Sequence, residues 1–204
     1  MIITWLIIGI TALVSYMTFQ NTGMMEKLQF NAAKIIHQKQ YYRLVSHAFI
    51  HVSWSHLAVN MLVLFFFGRN IEAAFQQLFG PRGTLFYLLL YLGGILISNA
   101  WSLIKHQNDY YYNAVGASGA VSAVLFAHIF LRPMDMLYLF AIVPIPGILF
   151  AAGYLIYSYQ MGKKKSDNVA HDAHFLGAVF GFVFPLLLRP GLFDNFINQL
   201  FSFL

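Results

Sequence analysis

Residues 115–131 read VGASGAVSAVLFAHIFL. The stretch is apolar enough for a bilayer interior, yet it opens on Gly116-Ala117-Ser118-Gly119. A serine flanked by glycines at the start of an apolar helix is a candidate nucleophile. A nucleophile at hydrocarbon depth implies chemistry on a bond that itself lies in or near the membrane. The composition of the whole chain agrees with that setting. Its 204 residues are 59% hydrophobic, 18% aromatic and 9% charged, whereas a soluble domain carries roughly 25% charged residues. Most of the surface therefore faces lipid, and one compact domain spanning 1–204 is expected at this length.

Six runs approach the roughly 20 apolar residues that a span needs. They are residues 2–19, 54–67 continuing to 71, 84–104, 115–131, 136–159 and 170–188. The fifth contains Pro144, Pro146 and Gly147. This pattern predicts an all-α membrane protein, a bundle of six transmembrane helices in the lipid bilayer. The first run lacks a basic leader and a small-residue cleavage site, so it is read as a retained helix. No cysteine is present, which excludes disulfides and thiolate metal sites. The formal charge of +5 comes from residues in the connections, as in membrane proteins, and forms no nucleic-acid face. Residues 20–53 are mixed and aromatic and are expected to pack on the bundle, because irregular backbone is not tolerated in lipid. Residues 160–169 read as a flexible basic connection in which Lys163, Lys164 and Lys165 are solvated or touch headgroups.

Polar side chains inside spans are costly and are functional candidates by default. His56 and Asn60 lie one turn apart on one face of the second run. Ser118 begins the fourth run and His174 the sixth. The second, fourth and sixth spans of a six-span chain run in one direction, so these four residues meet at one depth on one side. Neutral imidazole can take the serine proton, with His174 as the base. The helix N-terminus at Ser118 presents unpaired N–H groups to a developing oxyanion, and His56 and Asn60 add side-chain donors. Gly116 and Gly119 admit close backbone approach. Gly177 and Gly181, facing Ala120 and Ala123, let the sixth helix reach the fourth. Rival histidines read as structural. His171 is taken as a solvated residue at the membrane edge, His128 as structural or solvent-facing about 15 Å from Ser118, and His51 as a loop anchor. His47, His51 and His56 lack a carboxylate partner, so no metal site is expected.

Together His51-x-x-x-x-His56-x-x-x-Asn60, Gly116-Ala117-Ser118-Gly119 and Ala173-His174-x-x-Gly177-x-x-x-Gly181 resemble the rhomboid intramembrane serine proteases in order, spacing and placement. Tyr42-Arg43 and Glu72 also have counterparts there, and the similarity covers about residues 40–188. The resemblance implies a Ser118–His174 dyad with no aspartate and no cofactor. It implies an oxyanion site of His56, Asn60 and the backbone near Gly116 and Ser118. It also implies a bendable fifth helix and capping loop that admit transmembrane protein substrates. One departure stands out: many relatives carry a tyrosine four residues after the serine, stacked on the imidazole, where this chain has Ser122. The orientation of His174 must then come from elsewhere, such as an aromatic on another helix.

The family topology faces the site away from the cytoplasm, as for a protein of the cell membrane. It places four basic residues inside (Arg69, Arg82, Arg132, Arg189) and eight outside (Lys27, Lys34, Lys39, Arg43, Lys105, Lys163, Lys164, Lys165). The positive-inside rule favours the reverse. Two other functions compete with proteolysis. A catalytically silent rhomboid-like protein would bind transmembrane helices for quality control, and a small transporter would show internal repeats, which this sequence lacks.

Overall fold

The computed structural model describes residues 1–139, 142–164, 167 and 169–202; Lys165, expected among solvated residues, lies outside these. Helix α1 covers Ile2–Phe19, as the first run predicts. Its buried positions are Thr4, Ile7, Thr11, Ser15 and Thr18, three or four apart and so on one face. Trp5, Leu6, Ile10 and Leu13 point outward, each at least half exposed. This inside-out amphipathicity suits a helix whose outer face meets lipid and whose inner face makes hydrogen bonds. Glu72, 1% exposed, accepts from the N–H groups of Ile3 and Thr4 and from Thr4 Oγ1. A carboxylate from a distant helix thus satisfies the first-turn donors that α1 cannot pair itself.

The first connection folds into short helices α2 (Thr22–Leu28), α3 (Ala32–His37) and α4 (Arg43–Ser46). Arg43 is 3% exposed and its guanidinium donates to the carbonyls of Glu26 and Gln29 at 2.8 and 2.7 Å. That side chain ties α4 to the end of α2 and so holds the first connection together as a folded unit.

Helix α5 (Trp54–Val63) passes through a π-helical stretch at Leu64–Gly68 into α6 (Arg69–Phe79). After a turn at Gly80–Arg82 the chain continues as α7 (Gly83–Ser98) and α8 (Ala100–Lys105). Helix α9 (Ser118–Leu131) is central, with every residue from Gly119 to Phe130 buried. Helices α10 (Gly147–Lys164), α11 (His171–Leu188) and α12 (Leu192–Phe201) follow. The last is amphipathic and lays Phe196 against Phe130.

Among the described residues three helical segments are long and apolar enough to cross a membrane: Ile2–Phe19, Trp54–Lys105 and His171–Leu188. The second and third runs lie within one 52-residue helical path. The fourth is a 14-residue helix. The fifth run is corrected. Residues 136–146 form a β-hairpin, β1 (Met136–Leu139) pairing antiparallel with β2 (Val143–Pro146), and only then does α10 begin. Pro144 and Pro146 lack the N–H a helix interior requires, so they sit in a strand instead of bending a helix. The chain is otherwise mostly helical, as the all-α expectation has it, and that hairpin is the exception. The basic connection is also shorter than 160–169, because α10 runs to Lys164.

Candidate active site

The N-termini of α9 and α11 lie side by side because both helices are narrow where they cross. A Cβ on Gly177 would overlap the Gly119 carbonyl, and one on Gly181 would overlap the Ala123 carbonyl. The two backbones are in direct contact, which is what small-x-x-x-small faces permit. The contact places His174 Nε2 2.7 Å from Ser118 Oγ. The hydroxyl and the imidazole that the sequence singles out therefore share a hydrogen bond across 56 residues of chain.

The turn into α9 is held from below by the first connection. Gly116 has φ +115°, a conformation that L side chains avoid. Its N–H donates to the His47 carbonyl at 2.9 Å. The Ala117 N–H points to His51 Nε2 at 3.4 Å. With Nε2 accepting, the His51 proton lies on Nδ1 and donates to Ser15 Oγ at 2.9 Å, and that hydroxyl donates to the Phe49 carbonyl at 3.0 Å. His51 is thus the anchor expected, reaching from α1 to the nucleophile turn. Burial pushes the His47 imidazole down to about 4. Burial, then the neighbouring His56, pushes His51 down to about 3.

The remaining candidates converge on the same place. The His56 ring lies against Gly116: a Cβ there would meet its Cε1 at 2.7 Å and its Nε2 at 3.0 Å. Asn60 Nδ2 donates to the His56 carbonyl at 2.8 Å, which leaves one amide hydrogen for another acceptor. Among the described residues no side chain caps α9, and its first-turn N–H groups, that of Ser118 included, have no helical acceptor. His56, Asn60, Ser118 and His174 all line one cavity of about 470 Å³. Its deeper wall is apolar: Val63, Phe67, Leu125, Leu137 and Phe150.

Two histidines need comment. His171 is not solvated. It is 4% exposed, and its Nε2 contacts both carboxylate oxygens of Asp167 at 3.1 Å. That bond holds the exposed Asp167 carboxyl below its usual range. The first turn of α11 turns His171 inward, against Tyr157. His128 is structural, packed on Phe67 with Nε2 3.3 Å from Asp135. The sequence reading missed Tyr154. Its hydroxyl bonds Ser122 Oγ at 2.7 Å and its ring lies beside His174. The one sequence signal for it was Ser122 itself, standing where an aromatic partner of the imidazole was expected.

Comparison with known proteins places the chain in a family. Residues 38–191 match the family model of the Rhomboid domain. RHOMBOID-like protein 12, mitochondrial, of Arabidopsis thaliana is 31% identical over 165 residues, 74% of this chain and 47% of the relative. RHOMBOID-like protein 2 of the same plant is 34% identical over 171 residues, covering 77% and 46%. Rhomboid-related protein 1 of Caenorhabditis elegans is 26% identical over 168 residues, covering 79% and 44%. The chain belongs to the rhomboid family of membrane proteins. It spans a little under half the length of these relatives.

Proposed function

We propose that this chain is an intramembrane serine endopeptidase that cleaves transmembrane segments of other membrane proteins. The observation that carries the reading is the 2.7 Å bond between Ser118 Oγ and His174 Nε2 at the head of a largely apolar cavity. Ser118 Oγ attacks the scissile carbonyl as its proton passes to His174 Nε2. The oxyanion is met by the Ser118 N–H at the positive end of α9, with His56 and Asn60 as side-chain donors. Collapse of the intermediate expels the amine, which takes the proton from His174. Water then hydrolyses the acyl-enzyme with His174 again as base. Helix α9 has 14 residues and so is about 21 Å long, short of the roughly 30 Å of hydrocarbon. A nucleophile on its first residue reaches a bond below the membrane surface. An intact substrate helix shields its peptide bonds, so segments that unwind near the site are the expected substrates.

The test is cleavage of a model transmembrane substrate in proteoliposomes. Ser118→Ala and His174→Ala should each abolish product, and cleavage persisting in either variant would sink the proposal. A wild-type chain that binds the substrate, yet neither cuts it nor reacts with a fluorophosphonate, would instead be a silent helix-binding relative. We infer that the site faces away from the cytoplasm in the cell membrane. A reporter fused after residue 204 should then read as cytoplasmic.

A further inference from the structure

Among the described residues no carboxylate hydrogen-bonds His174; its side-chain bond is to Ser118. The set of the imidazole therefore depends on the rings that flank it. Two do. His171, one turn earlier on α11, stands edge-on at 5.9 Å and 78°, with its own Nε2 committed to Asp167. Tyr154 comes from α10 and lies at a shallow angle to the imidazole, 26°, with centroids 6.5 Å apart.

The Tyr154 ring is itself held on three sides. Its hydroxyl bonds Ser122 Oγ at 2.7 Å. Phe126 packs at 5.4 Å and Phe150 at 5.8 Å. Ser122 and Phe126 lie one and two turns below Ser118 on α9, on the face that carries the nucleophile. One side chain from a third helix therefore binds the nucleophile's helix through its hydroxyl and flanks the base with its ring.

We propose that Tyr154 is the positioning residue for His174 and that Ser122 is its tether. The proposal rests on the Ser118–His174 dyad read above. It also couples the dyad to the cavity wall. Tyr154 and Phe150 line the cavity from α10, and the buried residues of α10 are small: Gly147, Ala151 and Ser158. When α10 lies against α9 the tether closes and the imidazole is held.

The experiment measures kcat and KM for a transmembrane substrate alongside the rate at which a small fluorophosphonate labels Ser118. The probe reads the reactivity of the serine without requiring a helix to enter. Tyr154→Leu should lower kcat and labelling by about tenfold or more while KM changes by less than about twofold. Tyr154→Phe and Ser122→Ala should each lower labelling a few-fold, and the double variant no further than either alone. Tyr154→Phe, which keeps the ring, should recover most of what Tyr154→Leu loses. Wild-type labelling in Tyr154→Leu would overturn the proposal, as would additive effects of the two tether variants. Should Tyr154→Leu fold poorly by thermal melting, the tether pair still decides the matter. A wild-type protein that neither labels nor cleaves would remove the dyad reading instead, so the two failures are distinguishable.

Discussion

His56 and Asn60 are one turn apart on α5 and line the same cavity, yet they are placed to contribute unequally. Asn60 spends one amide hydrogen on the His56 carbonyl, whereas the His56 ring is set directly against the glycine that precedes the nucleophile turn. Loss of an oxyanion donor slows catalysis by about 100–1,000-fold. His56→Ala should fall in that range with KM little changed, and Asn60→Ala should cost less. Steady-state cleavage checks both, and equal losses would mean that Asn60 acts as an independent donor of full strength. These residues were legible in the sequence because each is a polar group that an apolar helix does not otherwise retain. Gly116 was legible for its flanking role, and the structure adds its positive φ. Tyr154 was not legible. It is one of 12 tyrosines, and no local spacing links it to Ser122, which lies 32 residues earlier. His171 was misread because exposure at a helix start depends on what the preceding loop folds over, here Asp167.

The contact between α9 and α11 is the element on which the dyad depends, and it tolerates no added volume. Gly181→Ala would drive a methyl into the Ala123 backbone, and overpacking of this kind costs about 1–3 kcal/mol. The variant should melt earlier in detergent and cleave more slowly. Gly9→Ala on α1 adds a methyl that, among the described residues, meets nothing within 4 Å beyond its own helix backbone and chain neighbours and should leave the melting temperature unchanged or raised. Equal melting of the two variants would contradict the close-packed crossing. Most helices were legible from hydropathy: α1 has the expected ends, and α11 begins one residue from where its run does. The hairpin was not, because hydropathy cannot distinguish an apolar strand pair from an apolar helix. The alternation Val143-Pro144-Ile145-Pro146 was the overlooked sign, since neither proline can serve a helix interior.

Over the whole molecule, polar groups of the first connection brace the site from outside the spans, and this makes stability depend on pH. Burial holds His47 down to about 4 and His51 to about 3, against an ordinary value near 6.5. Unfolded chains take up protons at these two positions as pH falls below about 6.5, while the native fold keeps both rings neutral. Stability is therefore fully present above that value and is lost progressively as pH falls toward 4. Melting temperature in detergent should drop across this window, and a flat profile from pH 7 to 4.5 would contradict the assignment. The hairpin has a consequence of a different kind. The Gly147 N–H donates to the Asp135 carbonyl, which fixes the parity of the ladder: residues 137, 139, 143 and 145 bond across it, and residues 144 and 146 aim outward. Both of those are prolines. The far side of β2 thus offers a newcomer acceptors without a single donor, so no foreign strand can zip onto that margin, and any pairing is confined to β1, where Met136 and Tyr138 keep their outward N–H groups.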